Sequence, residues 1–203
     1  MNGHTHMAGG LLAGLAAVSV VPGGQVPALL IASALAGPLA DIDHPGSMYG
    51  RFLPLPGVVL GKEGLQSWAP RMGFHDHQGG RVGRSLPGGK ILWHRGPTHS
   101  LLVAGLFAAA SGLICWGWFP VLAWPVFLGV LLGYLSHLAL DLLNIAPISL
   151  MWPFSKKTAH LKFPRIRVGS PGEWLVMGGL IAAIALVAAE YGSGLIRLLA
   201  LAR

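Results

Sequence analysis

The sequence predicts an all-α integral membrane protein with about four to five transmembrane helices. Of its 203 residues, 53% are hydrophobic and only 10% are charged, whereas an average soluble domain has about 25% charged residues. The mean hydropathy is +0.62, and the apolar residues are gathered into long runs. The length suits one domain, so we expect residues 1–203 to form a single membrane-embedded domain.

Five apolar segments are the candidate helices. They cover residues 7–21, 26–40, 101–119, 121–143 and 174–189. The first two are shorter than the roughly 20 residues that cross a bilayer, so we expect them to be tilted in a thin region or only partly embedded. The fifth is followed by an apolar tail that Gly192 and Gly194 interrupt, and this tail either completes the span or lies along the interface.

Basic residues are concentrated in the two long loops between these segments. Loop 41–100 contains seven of the 14 lysines and arginines and loop 144–173 contains five, whereas the two opposite turns contain none. By the positive-inside rule, both long loops are therefore predicted to face the cytoplasm. The part of the first loop from about 46 to 90 is rich in Gly, Pro and Arg, and we expect it to be a cytoplasmic insertion without a long helix.

The net charge of +7 fits this topology better than it fits a nucleic-acid-binding surface. The chain has neither a recognition motif nor an aromatic–basic platform, so we expect membrane lipids as partners and no nucleic acid. Its one cysteine, Cys115, lies in an apolar run, which argues against a disulfide framework and a thiolate metal site.

Four short motifs rich in histidine and aspartate lie at the ends of the first four apolar segments. They read HTH from residue 4, ADIDH from residue 40, HRGPTH from residue 94 and SHLALD from residue 136. Because consecutive segments run in opposite directions, all four motifs fall on the cytoplasmic side. In the last motif, the spacing of four places His137 and Asp141 one turn apart on one helix face. The sequence therefore predicts that the four motifs meet at one membrane level.

These motifs contain the side chains that bind transition metals. Imidazoles and carboxylates together suit zinc, manganese or iron, and ionisable groups at this depth are costly and usually functional. They exceed the needs of one tetrahedral ion, so we predict two or more divalent ions, zinc first and manganese or iron as alternatives. The predicted ligands are His4, His6, Asp41, Asp43, His94, His99, His137 and Asp141, with His44 as a further candidate.

Each motif also has a purely structural explanation. His137 and Asp141 could form an ion pair that holds two helices together, and Asp41 and Asp43 could cap a helix or flank a turn. Thr98 could be the N-cap of the third helix, and His4 and His6, near the terminus, could be disordered. All of these explanations must hold together if there is no metal site, which favours the metal. The separate HDH motif at residues 75–77 has no second cluster nearby in the sequence, and we assign it to a solvated loop.

The stretches HTHMAGG, ADIDHPG, WHRGPTHS and GYLSHLALDLLN, followed by WPF, resemble the YdjM-like family of prokaryotic inner-membrane proteins. They extend from residue 4 to residue 154, and HRGPTHS together with SHLALD is the specific part. The resemblance implies a metal-dependent hydrolase in the inner membrane. The family more distantly resembles the helical phosphoesterases of the zinc-dependent phospholipase C and P1 nuclease group. That resemblance implies Asp41, His99, His137 and Asp141 as ligands first, and His6 and His94 next.

We therefore expect a membrane-bound, metal-dependent hydrolase that cleaves a phosphoester at the cytoplasmic interface, with a phospholipid as the first candidate substrate. Asp43 would orient or deprotonate the attacking water, Arg95 would neutralise substrate charge, and Asn144 would donate a hydrogen bond. Two alternatives stay open. The first is a structural or partner-binding membrane protein with a fold-stabilising metal, and the second is a metal transporter. The chain contains neither H-E-x-x-H nor G-x-S-x-G, so a zinc peptidase and a serine hydrolase are disfavoured.

Overall fold

The computed structural model describes residues 1–43, 47–49, 95–155 and 157–201, and over these residues the chain is helical without a named strand. The predicted all-α class is confirmed. The described residues form five α-helices, which are α1 (Gly3–Ala16), α2 (Val26–Ala36), α3 (Leu101–Trp118), α4 (Pro120–Leu142) and α5 (Pro171–Leu201). Short 3-10 helices occupy Val18–Val20, Gly23–Gln25, Leu39–Asp43 and Pro97–His99.

The first helix begins earlier than the apolar pattern predicts. α1 starts at Gly3, where the backbone N–H groups of Thr5 and His6 donate to the carbonyl of Asn2. Its first turn buries the polar side chains of Thr5 and His6, so the apolar pattern, which begins at residue 7, does not mark the start of the helix. His4 and His6 therefore belong to the helix rather than to a segment preceding it.

Three helices in the described part of the chain are long and apolar enough to cross a membrane. They are Leu101–Trp118, Pro120–Leu142 and Pro171–Tyr191, while the apolar helix Gly23–Ala36 is shorter. α3 and α5 carry large exposed apolar side chains, among them Leu113 and Leu175, which is the surface expected to face lipid. α2 ends before residue 40 because Pro38 cannot donate a backbone hydrogen bond, and the chain continues as the 3-10 helix Leu39–Asp43.

α4 is the centre of the bundle and packs against α1, α2 and α3, while α5 packs against α1. The close packing of α1, α2 and α4 depends on glycines that face Ser33 of α2. A β-carbon added at Gly10 of α1 or at Gly133 of α4 would overlap the carbonyl oxygen of Ser33. The backbones of both neighbouring helices therefore touch α2 directly, and this contact fixes its position relative to α4.

Ser100 caps the start of α3, so the alternative explanation in which Thr98 is the N-cap is wrong. The Ser100 hydroxyl accepts a hydrogen bond from the backbone N–H of Val103 at 3.3 Å and donates one to the carbonyl of Pro97 at 2.7 Å. Thr98 lies inside the preceding 3-10 turn, where its hydroxyl is 3.0 Å from Nδ1 of His99. The cap and the turn together fix where His99 enters the bundle.

The connection between α4 and α5 folds back against the end of α4. The N–H of Ile145 donates to Ile166 at 3.2 Å, and Ile148 and Ala159 exchange backbone hydrogen bonds of 2.9 and 2.8 Å. The N–H of Ser149 donates to the carbonyl of Arg95 at 3.2 Å. This connection therefore holds the segment that carries Arg95 beside the end of α4.

Candidate metal centre

Four of the predicted ligands meet at one end of the bundle. Asp41, His99, His137 and Asp141 each offer one ligand atom, and these atoms all lie within 4.8 Å of one another. All four residues are buried. We refer to them as the Asp/His cluster, and such a cluster could bind a metal ion.

Each member of the Asp/His cluster is delivered by a different helix end or helix turn. Asp41 lies in the 3-10 helix that follows α2, and His99 ends the 3-10 helix that precedes α3. His137 and Asp141 lie one turn apart in the last part of α4. The structure thus brings together residues from three of the four motifs in this cluster, as the alternating direction of the helices predicts.

Five of the six separations within the Asp/His cluster are close to the edges of a tetrahedron around a small ion. His99 Nε2 lies 3.3 Å from Asp41 Oδ1, 3.4 Å from Asp141 Oδ2 and 3.2 Å from His137 Nε2. His137 Nε2 lies 3.6 Å from Asp41 Oδ1 and 3.7 Å from Asp141 Oδ2. Zinc–ligand bonds of about 2.0–2.2 Å place tetrahedral ligand atoms about 3.3–3.6 Å apart. The four residues could therefore hold a small metal ion.

The hydrogen bond that His137 makes leaves its Nε2 available for a metal, while the partner of His99 Nδ1 is a hydroxyl that can donate or accept. Nδ1 of His137 lies 2.7 Å from the carbonyl oxygen of Gly37, and since a carbonyl only accepts, Nδ1 carries the proton and Nε2 has the lone pair. Nδ1 of His99 has the Thr98 hydroxyl as its partner. The backbone carbonyl of Thr98 in turn accepts from the Tyr134 hydroxyl at 2.6 Å. Such outer partners orient metal-binding imidazoles and fix their tautomers.

The carboxyl group of Asp41 is ionised, as a metal ligand must be. Burial alone would raise its pKa, but the hydrogen bond from His99 and the charges of the nearby imidazoles outweigh burial and hold the pKa well below its usual range. Asp41 therefore carries a negative charge at neutral pH.

Arg95 lies beside the Asp/His cluster and not in the solvent. One of its guanidinium nitrogens is 3.4 Å from Asp141 Oδ2, and another donates to the carbonyl of Ala146 at 2.6 Å. Its backbone has a φ of +71°, a left-handed conformation that residues other than glycine rarely adopt. The left-handed backbone at residue 95 therefore directs the guanidinium of Arg95 toward the cluster.

The family model described as YdjM inner membrane protein matches residues 1–201. The chain belongs to the YdjM family. The inner membrane proteins YdjM of Escherichia coli (strain K12) and of Shigella flexneri are each 34% identical to it over 116 residues, which is 57% of this chain and 44% of those proteins. The match thus spans less than half the length of these relatives. No solved structure matches the chain.

Membership of the YdjM family confirms the resemblance that the motifs carry. It also agrees with the three apolar helices of spanning length in the described part of the chain. The names of the family and of its relatives state a location and no reaction. The more distant resemblance to phospholipase C and P1 nuclease stays a prediction.

The remaining predicted site residues of this YdjM-family chain lie elsewhere or outside the described residues. The side chain of His4 is exposed on α1 and is separate from the Asp/His cluster. His6 is buried beside the cluster and stacks on His137, with 3.7 Å between the ring centres. Asn144 donates its amide hydrogen bond to Asp141 Oδ1 at 2.5 Å. The side chain of Asp43, the residues His44 and His94, and the HDH motif lie outside the described residues.

Glu173 is a buried carboxylate that the sequence reasoning missed. Its Oε1 accepts hydrogen bonds from the backbone N–H of Asn2 and, at 3.1 Å, from the Thr5 hydroxyl, and its Oε2 accepts from the N–H of Gly169 at 2.6 Å. The sequence Ser170-Pro-Gly-Glu173 has the capping-box pattern, which signals a helix start but not a partner in another helix. Glu173 fastens the start of α1, which carries His6, to the start of α5.

Glu173→Ala should therefore lower the stability of the folded protein. Truncation leaves the Thr5 hydroxyl and two backbone N–H groups without their acceptor, and a lost hydrogen bond to a charged group costs about 1–3 kcal/mol. Thermal unfolding in detergent measures the effect. Glu190→Ala is the matched control, because Glu190 is exposed on the same helix. Equal melting temperatures for the two variants would contradict the role of Glu173.

Proposed function

We propose that this chain is a multi-pass protein of the prokaryotic inner membrane. We also propose that it is a metal-dependent hydrolase that cleaves a phosphoester, with a phospholipid as the first candidate substrate. The observation that carries the proposal is the Asp/His cluster, in which two imidazole Nε2 atoms and two carboxylates converge in a buried site. Ionisable groups at this depth are costly to bury and are usually functional.

A bound divalent ion supplies the chemistry of an activated water and a polarised phosphoryl oxygen. Zinc is the first candidate and manganese or iron the alternatives, since imidazole and carboxylate donors accept all three. Asp41, His99, His137 and Asp141 would hold it, and we propose two or more ions in all. Asp43 remains the proposed base.

The guanidinium of Arg95 would bind the substrate. It lies 3.4 Å from Asp141 Oδ2, and its planar donors match two oxygens of a phosphate group. In this position it would neutralise substrate charge and orient the scissile bond toward the ion. Its contact with the carbonyl of Ala146 limits how far the guanidinium can move.

The surface of the connection between α4 and α5 favours a lipid substrate at the cytoplasmic face. Phe154 and Phe163 are more than three-quarters exposed there, at 81% and 86%. Exposed basic side chains lie in the same connection, namely Lys157, Lys162, Arg165 and Arg167. Aromatic and basic side chains suit the headgroup region, where each Lys or Arg contributes about 1 kcal/mol of attraction to an anionic surface. With both long loops in the cytoplasm, the cluster would meet lipids of that leaflet.

Arg95→Gly tests the proposed role of the guanidinium. Glycine accepts the left-handed backbone of residue 95, so the variant removes the side chain without straining the turn. We expect turnover to fall by about 10²-fold or more, the usual effect of removing one group that stabilises transition-state charge. Release of phosphate or diacylglycerol from mixed lipid substrates measures the activity, and His4→Ala is the control. Unchanged turnover in Arg95→Gly would contradict this role.

A fold-stabilising metal is the second candidate function, because four protein ligands can close a tetrahedral site and structural zinc sites are closed. A metal-containing wild type that hydrolyses no phosphoester would favour this structural or partner-binding role. Metal transport has less support, since a permeation path needs ligands at several depths and the described ligands gather at one end of the bundle.

A further inference from the structure

The two oxygens of the Asp141 carboxylate face two different sets of neighbours. Oδ2 lies 3.4 Å from His99 Nε2 and 3.7 Å from His137 Nε2, so it is placed among the candidate ligand atoms of the Asp/His cluster. Oδ1 points to the other side, toward the side chain of Asn144. The rotation of this carboxylate therefore decides which of its oxygens the cluster can use.

Nitrogen atoms of three described residues surround Oδ1 of Asp141. The side-chain nitrogen of Asn144 is the nearest at 2.5 Å, and the nitrogen of Met1 and Nε2 of His6 follow at 3.1 and 3.4 Å. The amide of Asn144 is a neutral group whose two N–H bonds lie in one plane, so its hydrogen bond has a fixed direction. Asn144 is therefore the neighbour best suited to fix the rotation of the carboxylate.

The Asn144 amide can bind Asp141 in one orientation only. An ionised carboxylate, which is the form that ligates metals, accepts hydrogen bonds and cannot donate them. The amide must therefore present its N–H group, since in the reverse orientation two acceptor oxygens would face each other. The Asn144 oxygen is buried and has no hydrogen-bond partner among the described residues. In the described part of the chain, the contact with Asp141 is thus what sets the orientation of the amide.

The backbone on both sides of Asn144 is held by Ile166. The N–H of Ile166 donates to the carbonyl of Leu143 at 3.0 Å, and the N–H of Ile145 donates to the carbonyl of Ile166 at 3.2 Å. The N–H of Asn144 itself donates to the backbone carbonyl of Asp141 at 3.1 Å. The amide therefore cannot move away from Asp141 unless the connection between α4 and α5 also moves.

We propose that Asn144 is a positioning residue, which holds Oδ1 of Asp141 so that the carboxylate offers Oδ2 alone to a metal ion in the Asp/His cluster. This inference rests on the proposed function in one respect, since it assumes that the cluster binds an ion. It assigns the amide hydrogen bond of Asn144 to Asp141 rather than to a substrate. Hydrogen-bonding partners that orient a metal ligand typically account for about 10–100-fold in metal affinity or activity.

Metal affinity tests the proposal directly. Asn144→Leu has a similar volume but no donor, and we expect its dissociation constants for zinc and for manganese to rise by about 10–100-fold. Competition with a chelator measures them on detergent-purified protein. Asn2→Leu is the matched control, because Asn2 is the other asparagine of the chain, is exposed, and makes no capping hydrogen bond with its side chain. It should keep the wild-type affinity. Equal affinities in the wild type and Asn144→Leu overturn the proposal.

Infrared difference spectra between metal-loaded and metal-free protein give a readout that a merely structural role of Asn144 would not move. The antisymmetric and symmetric stretching bands of a carboxylate lie far apart when one oxygen binds the metal and closer together when both do. With aspartate isotopically labelled at its carboxyl carbon, Asn144→Leu should gain a closely spaced pair of bands that the wild type lacks. Unchanged aspartate bands in the variant overturn the positioning role. If Asn144→Leu does not fold, Asn144→Ala, which adds no atoms, is measured in the same way.

A lipid assay on the same samples separates this inference from the proposed function. If Asn144 instead bound the substrate, Asn144→Leu would raise KM at saturating metal and leave the metal affinity unchanged, and this result overturns the positioning role alone. Weaker metal binding and new bands in Asn144→Leu, in a protein whose wild type hydrolyses no lipid, overturn the hydrolase alone. A wild type that binds neither zinc nor manganese overturns both.

Discussion

Asp141→Asn should abolish metal binding and turnover together. Asparagine has nearly the same shape but no charge, so it removes the carboxylate that faces both His99 and His6. Loss of one anionic ligand from a buried site should reduce the number of ions per chain below one, and turnover should fall to background. Metal analysis and the lipid assay on the same preparation measure both effects.

The Asp141→Asn variant should also melt at a lower temperature than the wild type. The Arg95 guanidinium would lose its contact with Asp141 Oδ2, and a largely buried cation without its partner is strongly destabilising, by about 3–5 kcal/mol. Glu190→Gln is the control for a carboxylate-to-amide change at an exposed position, and it should leave the metal content and the melting temperature unchanged. Wild-type metal content in Asp141→Asn would contradict the assignment of Asp141 as a ligand.

The convergence of Asp41, His99, His137 and Asp141 could be predicted because it depends on few structural variables. The helical repeat fixes His137 and Asp141 on one face. Short connections reverse the chain between neighbouring helices, so the ends of alternate helices return to one level. Asp41 and His99 are 58 residues apart (99 − 41), yet the direction of each apolar segment was enough to bring them together.

The features that the sequence did not reveal depend on which way a particular helix face points. His4 and His6 are two residues apart, and such positions lie about 200° apart around a helix, so they cannot both face the cluster. Only the packing of α1 shows that His6 is the buried one. Glu173 escaped notice for a related reason, since its partner Thr5 is 168 residues away along the chain. The capping-box pattern around Glu173 predicts only a role at the start of its own helix, α5.

Gly133→Ala should destabilise the bundle and weaken metal binding, although the residue carries no functional group. Gly133 lies one turn before His137 on α4, and an added β-carbon would overlap the Ser33 carbonyl and lie 2.9 Å from the Ala36 β-carbon. The Ser33 carbonyl belongs to the backbone of α2 and cannot turn away, so α2 must move outward. Overpacking of this kind costs about 1–3 kcal/mol. The movement would also displace Asp41, which follows α2 directly.

The same substitution at Gly105 of α3 should instead leave the stability of the fold unchanged or raise it. A β-carbon there meets nothing within 4 Å, and alanine in a helix interior is more stable than glycine by roughly 0.5–1 kcal/mol. Thermal unfolding in detergent, with metal analysis on the same samples, compares the two variants. Gly105→Ala should melt at or above the wild-type temperature and keep its metal, whereas Gly133→Ala should melt lower and bind metal more weakly. If both glycines tolerated alanine equally, the contact between α2 and α4 would not be what positions Asp41 against His137.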